Sequence, residues 1–268
     1  MADLHLTSTT NPRLKSVVKF RRRRARDEAG VAVVEGYEEL ALAVESGVRA
    51  QAIYYCPDLM HDPDQQLQLV HAARADGTST ISLSRSVFER VAYREGPDGF
   101  LAVLPAVGGD LSRLRLPEAP LLLVAEGIEK PGNLGAMLRT ADAAGIDAVI
   151  AVDPTTDWSN PNVIRGSKGT VFTVPVAATT LDELVPWMGA RGIRLVATTP
   201  DATTLHTDAD LTGPVAIAVG TEKHGLTAAA LAAADVAVRI PMAGRVNSLN
   251  AGVAAAVAVY EAVRQRSS

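Results

Sequence analysis

Apolar residues gather in short runs set between stretches of helical periodicity, most clearly in the second half of the chain. Leu121–Ala125, Ala148–Val152, Arg194–Ala197, Val215–Val219 and Val236–Ile240 are nearly continuous apolar segments. Runs of that length, separated by helical patterns, predict parallel strands buried on both faces. Toward the N-terminus, Val31–Glu35 and Ala50–Tyr55 predict strands, and Tyr37–Ser46 and Asp64–Ala75 predict helices. Between the blocks, residues 105–119 hold prolines and glycines and no sustained period, the composition of a linker. The expected organisation is an α/β protein: a small α/β module at 1–104, a linker at 105–119 and a larger parallel-sheet domain at 120–268.

Composition narrows the class. Hydrophobic residues make up 47% of 268 residues, enough for a sizeable core, while aromatics are only 4%. RNA contact in this chain is therefore expected to rest mainly on something other than stacking. A single cysteine, Cys56, excludes an intramolecular disulfide framework and a cysteine-based metal cluster. No basic-then-apolar leader opens the chain, and no apolar run approaches the roughly 20 residues that span a bilayer. A soluble, cytoplasmic protein without a membrane or metal partner is the expectation. The net charge of −4 speaks against a polyanion ligand, but its distribution does not. Residues 1–30 carry a local +5, from Arg13, Lys15, Lys19, Arg21, Arg22, Arg23, Arg24 and Arg26 against three acids, and the remainder carries −9. Such asymmetry fits either a localised nucleic-acid contact or a solvated basic helix face.

Three polar loops follow candidate strands. The first runs from Gly127 through Pro131-Gly132 to Asn133 and Arg139, with Asn133 expected as a helix N-cap. Because helical side chains lean toward the N-terminus, Arg139 can reach back to the loop mouth, where an amide and a guanidinium suit a phosphate and a ribose hydroxyl. The plainer alternative is a capping Asn and a surface Arg paired with Asp142. The second loop, Gly220-Thr221-Glu222-Lys223-His224-Gly225-Leu226, has glycines that admit close backbone approach and a carboxylate able to accept hydrogen bonds. His224 reads as a solvated loop residue. The third ends in Ser248-Leu249-Asn250, with Ser248 expected as N-cap of a helix rich in Ala and Gly. Small residues there imply close packing on another helix or on a partner subunit. No Gly-x-Gly-x-x-Gly follows any candidate strand, which disfavours a dinucleotide site.

Taken together, the loops resemble the three motifs of the SpoU (TrmH) family of RNA ribose 2′-O-methyltransferases, within the SPOUT class. Asn133-Leu134-Gly135-Ala136 with Arg139-Thr140 resembles the first motif. Gly220-Thr221-Glu222 with Gly225-Leu226 resembles the second, and Ile240-Pro241-Met242 with Ser248-Leu249-Asn250 the third. The likeness covers about residues 120–265. The N-terminal block is similar, more loosely, to the ribosomal-protein-like substrate-binding domain of rRNA-acting members, through Ser8, Asn11-Pro12, Val34-Glu35-Gly36 and the Lys19–Arg26 run.

The resemblance implies a deep trefoil knot in the C-terminal domain that binds S-adenosylmethionine. It implies a cofactor pocket at Thr198, Thr199, Gly220, Ile240 and Leu249. It places Asn133, Arg139, Glu222, Ser248 and Asn250 in the active site, with a second subunit completing it, hence a homodimer. Arg139 is expected to anchor phosphate and polarise the hydroxyl, since a guanidinium stays protonated. Lys19, Arg21, Arg22, Arg23, Arg24 and Arg26 are expected on RNA. The substrate implied is ribosomal RNA, 23S rRNA above all, whether modified for housekeeping or for self-protection against an antibiotic. A tRNA methyltransferase, or an RNA-binding protein that keeps the fold without catalysis, are the alternatives; a generic nucleotide-binding α/β enzyme is the fallback if the loops are coincidental.

Overall fold

The computed structural model describes residues 4–267, which divide into two compact units. One contains the chain up to Val107 together with Asp157–Thr173; the other contains Gly108–Thr156 and the chain from Val174 onward.

The N-terminal unit begins β1 (Leu4–Leu6), α1 (Pro12–Lys19), α2 (Arg23–Ala29), β2 (Val31–Glu35) and α3 (Tyr37–Glu45). It continues β3 (Ala52–Tyr55), α4 (Pro63–Ala75), β4 (Ser79–Leu83), α5 (Arg85–Val91) and β5 (Phe100–Pro105). The strands form one mixed sheet in the order β1-β4-β3-β5-β2, with β5 antiparallel to both β2 and β3. Leu14 and Val17 of α1 and Phe88 of α5 close one face of its core over Tyr54, Ile81 and Leu101. β1, β4 and β5 had no counterpart in the expected elements. Pro105 ends β5 rather than opening a linker. Farther along that segment Leu111–Arg113 forms a 3-10 turn whose Leu111 is buried in the second unit's core.

The C-terminal unit opens with β6 (Leu121–Glu126), α6 (Pro131–Ala144) and β7 (Ala148–Val152). The chain then returns to the N-terminal unit for α7 (Pro161–Gly166). It resumes with β8 (Val176–Thr179), α8 (Leu181–Gly189), β9 (Arg194–Thr198), β10 (Thr204–Leu205), β11 (Val215–Val219), α9 (Ala228–Ala233), β12 (Val236–Arg239) and α10 (Ala251–Arg266). All seven strands are parallel, in the order β10-β12-β9-β11-β6-β7-β8. β6, β7 and β11 are buried along their whole length, as strands covered on both faces must be, and this is why they read as unbroken apolar runs. From β6 the chain winds outward through β7 to β8, then crosses to the other side for β9. A reversal of that kind opens a crevice at the carboxyl ends of the strands.

The small-residue helix α10 packs on α6 within the same chain. A Cβ added to Gly252 would sit 3.2 Å from the Ala136 Cβ, so the two backbones approach at the limit that glycine permits. The opposite side of α10 leaves Val253 and Tyr260 half exposed.

Candidate active site

The first loop leaves β6 and enters α6 at Pro131, whose fixed φ and missing N–H suit the first helical position. Lys130 therefore occupies the N-cap position, and Asn133, expected there, lies in the first turn of the helix and is buried. The consequence is chemical. A carboxamide not engaged in capping is free for tertiary bonds, and Asn133 Nδ2 donates to Glu222 Oε1 at 3.2 Å.

Asn250 completes the cluster. Its Oδ1 accepts from the backbone N–H groups of Gly252 at 3.0 Å and Val253 at 3.4 Å, so Asn250, not Ser248, caps α10. That bond fixes the amide's orientation and turns Nδ2 toward Asn133 Oδ1, 3.1 Å away, and toward Glu222 Oε1. Lys130 Nζ donates to the other carboxylate oxygen of Glu222. Lys130 and Asn133 together hold the Glu222 carboxyl below the usual carboxylate range. Residues from three loops, Asn133 and Asn250 among them 117 positions apart, thus meet on one carboxylate.

Beside the cluster lies a cavity of about 550 Å³. Thr198, Thr199, Gly220, Ile240 and Leu249, the five expected cofactor contacts, all line it, and Glu222 and Ser248 stand on its wall. Its size falls within the range of a small-molecule site. Thr198 Oγ1 donates to the Ala218 carbonyl at 2.8 Å, and Thr199 N to the Val238 carbonyl at 2.9 Å, so both threonines are fixed to the sheet. Gly220 is sterically obligatory: a Cβ there would fall 2.1 Å from the Gly225 carbonyl carbon and oxygen. Thr221 and Gly225 exchange backbone hydrogen bonds at 3.0 and 2.9 Å, closing the loop on itself, and His224 projects into solvent. Backbone polar groups fixed around an apolar slot are what an adenosine edge and an amino-acid tail need, so the residues present fit S-adenosylmethionine.

Two supporting residues were not anticipated. Glu126, buried at the end of β6, accepts from Thr227 N at 2.8 Å and Thr227 Oγ1 at 2.7 Å and so anchors the far end of the second loop. Lys130 is the other. The signal for Glu126 was a lone carboxylate closing an otherwise apolar strand; for Lys130, a cation abutting the first motif.

Arg139 stands apart from this cluster. It is exposed on α6, one turn beyond Ala136, and no hydrogen bond or ion pair to it occurs among the described residues. Ser248 is likewise exposed and lines the cavity without joining the cluster.

The basic run does not behave as one surface. Arg26 is 2% exposed: its guanidinium bonds Asp157 at 2.7 Å and the carbonyls of Phe20 and Arg21 at 3.3 and 3.2 Å. Its expected place on RNA is thereby corrected, because a buried, paired cation has no face left for phosphate. Arg23 lies 3.5 Å from Asp27 and 3.7 Å from Asp157, and Arg24 lies 2.7 Å from Glu28. Arg21 is half-buried against the carbonyls of Val91 and Ala92. Lys19 and Arg22 are exposed, with no ion pair among the described residues. Among those residues, too, no helix is long and apolar enough to cross a membrane, and no group of three or more His, Cys, Asp or Glu could hold a metal ion.

Comparison with known proteins places these features in context. Residues 120–260 match the SpoU rRNA Methylase family, and residues 11–102 match the MRM3-like substrate binding domain. The chain is 33% identical over 257 residues to a 23S rRNA (uridine(2479)-2′-O)-methyltransferase of Streptomyces viridochromogenes, covering 92% of this chain and 87% of that protein. It is 37% identical over 211 residues to the 23S rRNA (guanosine-2′-O-)-methyltransferase RlmB of Coxiella burnetii, covering 76% and 84%. A crystal structure of an AdoMet-bound rRNA methyltransferase from Sinorhizobium meliloti superposes with a TM-score of 0.88 at 28% identity, covering 97% of both chains.

Proposed function

The chain belongs to the SpoU rRNA Methylase family, and from that premise we propose that it methylates a ribose 2′-hydroxyl of ribosomal RNA, with S-adenosylmethionine as donor. The observation that carries the proposal is the convergence of Asn133, Glu222 and Asn250 beside the cavity lined by Gly220, Ile240 and Leu249. 23S rRNA is the substrate best supported, because two relatives of different nucleoside preference share that RNA. The N-terminal match to a substrate-binding domain of this kind favours it over tRNA.

S-adenosylmethionine, when bound, supplies a methyl group on a positively charged sulfur. Held there, it would deliver the methyl to the 2′-oxygen, the sulfur keeping the pair of the broken carbon–sulfur bond and the hydroxyl proton passing to solvent water. Backbone groups of Thr199, Gly220, Ile240 and Leu249 orient the donor. Glu222, kept ionised by Lys130 and Asn133, fixes the amides of Asn133 and Asn250 and would present its negative charge on the wall of the pocket that holds the donor. Arg139 anchors a phosphate and polarises the 2′-hydroxyl. Alignment of this sort supplies most of the rate in a transfer whose reactants are both held.

Arg139 lies outside its own chain's polar cluster, and Val253 and Tyr260 of α10 are half exposed. Both facts support a homodimer in which α6 and α10 of one protomer complete the site of the other. Membership of this family supports a deep trefoil knot in the C-terminal unit. Lys19 and Arg22 supply phosphate contacts, and the protein works in the cytoplasm, where its substrate is.

Replacing Arg139 tests the assignment. Arg139→Ala is expected to lower methylation of 23S rRNA by roughly a hundredfold or more, the scale of losing one positioned transition-state contact. S-adenosylmethionine affinity by calorimetry stays unchanged. Wild-type turnover in the variant would remove Arg139 from the mechanism, and a wild-type protein without affinity for S-adenosylmethionine would remove the mechanism itself.

A further inference from the structure

The N-terminal unit holds an exposed aromatic ring more firmly than its position in a loop requires. Tyr93 is 43% exposed in a chain with few aromatics. Its main chain rests on a buried carboxylate: Glu35 accepts from Tyr93 N at 2.6 Å and from Arg94 N at 3.2 Å. Burying a carboxylate is unfavourable unless hydrogen bonds or an opposite charge compensate it; here the two backbone N–H groups do so, with the Arg94 guanidinium 3.8 Å away. What Glu35 holds is the backbone beneath the ring.

Cations and an amide flank the ring. The Arg21 guanidinium carbon lies over one face of the ring, 5.9 Å from its centroid, fixed by the Val91 and Ala92 carbonyls at 3.0 and 2.6 Å. Asn162 Nδ2, on α7, donates to the phenol oxygen at 3.2 Å, and Arg165 Nη2 donates to Asn162 Oδ1 at 3.2 Å. Neither guanidinium forms an ion pair among the described residues, so both charges remain available. A protein-docking patch would surround Tyr93 with apolar side chains; here the neighbours are positive and hydrogen-bonding, the surroundings that favour a polyanion.

Resting on the RNA-modifying role above, we infer that Tyr93 is a stacking platform for one unpaired base of the substrate RNA, with Arg21 and Arg165 beside it to meet the flanking phosphates. The face of the ring turned away from Arg21 accepts any base, and Glu35 and Asn162 set its orientation in advance. The platform also explains how the unit can engage RNA although Arg23, Arg24 and Arg26 of the basic run are paired internally.

The test uses the full-length protein, 23S rRNA transcribed in vitro and tritiated S-adenosylmethionine. Tyr93→Ala is expected to raise the KM for RNA roughly tenfold or more, as loss of one stacked base does, with kcat and cofactor affinity little changed. Tyr93→Phe keeps the ring and stays within about twofold of wild type. The slope of log KM against log salt is unaltered in Tyr93→Ala, because no charge is removed, and falls by about one in Arg165→Ala. An unchanged KM in Tyr93→Ala, or an equal loss in Tyr93→Phe, overturns the platform while a methylating wild type leaves the enzyme standing. A wild-type protein that binds the cofactor and methylates no ribosomal RNA overturns the enzyme reading and the platform with it.

Discussion

Glu35 and Glu222 each gather hydrogen bonds from residues distant in sequence, yet their surroundings push them in opposite directions. Glu35 is buried in the N-terminal unit, where desolvation raises its pKa against the lowering effect of the Tyr93 and Arg94 backbone N–H groups. Glu222 stands on an open loop of the C-terminal unit, where Lys130, Asn133 and Asn250 lower it. One carboxylate is placed at an electrostatic cost to fix a backbone. The other is ionised with ease and organises side chains around a ligand cavity. The difference separates a scaffolding acid from a site acid by its surroundings: burial, with backbone donors and the Arg94 guanidinium at 3.8 Å, in one case, and an open loop with a directly bonded lysine and two amides in the other.

Breaking the seat of Glu222 is expected to have the largest effect. Gly220→Ala would drive a Cβ into the backbone of Gly225 and Leu226, where no side chain can yield. The second loop must then move as a body, and S-adenosylmethionine affinity is expected to fall about a hundredfold or more, in line with a strain of about 3 kcal/mol. Calorimetric titration checks it; wild-type affinity would mean the loop is looser than its packing indicates. Next comes Glu222→Gln, which preserves shape but leaves Lys130 without a counter-charge and puts an amide donor among amide donors. Turnover on 23S rRNA is expected to fall roughly 10- to 100-fold, the scale of one to two charge-assisted hydrogen bonds. Single-turnover rates at saturating cofactor measure this. If the rates stay level while cofactor affinity collapses, Glu222 belongs to the pocket and not to the reacting centre.

The two regions also differ in how legible they were. The parallel sheet was readable because β6, β7 and β11 are buried on both faces and therefore apolar throughout. The polar loops stood out against those runs; the structure brings Asn133, Glu222 and Asn250 from them together beside one cavity and leaves Arg139 apart. Their capping roles were less readable. Pro131 takes the first helical position of α6 and moves Asn133 inside, while Asn250 outcompetes Ser248 for the N-cap of α10. In the N-terminal unit, Ser79–Leu83 is short and only half apolar, and Phe100–Pro105 merges into a Pro/Gly stretch, so the mixed sheet was invisible. Arg26 looked like part of a basic face because its partner Asp157 lies 131 residues away, on a segment that folds back from the C-terminal half. Local pattern records burial and turns. It does not record which distant acid a cation will meet.

The smallest effects sharpen the contrast most, because they carry opposite signs. Glu35→Ala leaves the Tyr93 and Arg94 amides without their acceptor and is expected to destabilise the N-terminal unit by about 2 kcal/mol. Glu35→Gln keeps one acceptor and costs less, so it is the better probe of charge. Because Glu35 is raised in the folded state, the folded protein holds its proton more tightly than the unfolded chain does. Its contribution is complete below the unfolded value of 4.5 and is lost as pH rises through the folded value. Glu222 is lowered, so its contribution is present above 4.5 and is lost as pH falls through its folded value. The melting temperature of wild type minus that of Glu35→Gln should therefore decrease from pH 4 to pH 7, whereas the same difference for Glu222→Gln should increase over that range. The charges of Arg94 and Asp98 act on Glu35 and are common to wild type and variant, so subtraction removes most of their effect. Two differences of the same sign would mean that the carboxylates sit in similar surroundings, and the division between scaffold acid and site acid would fail.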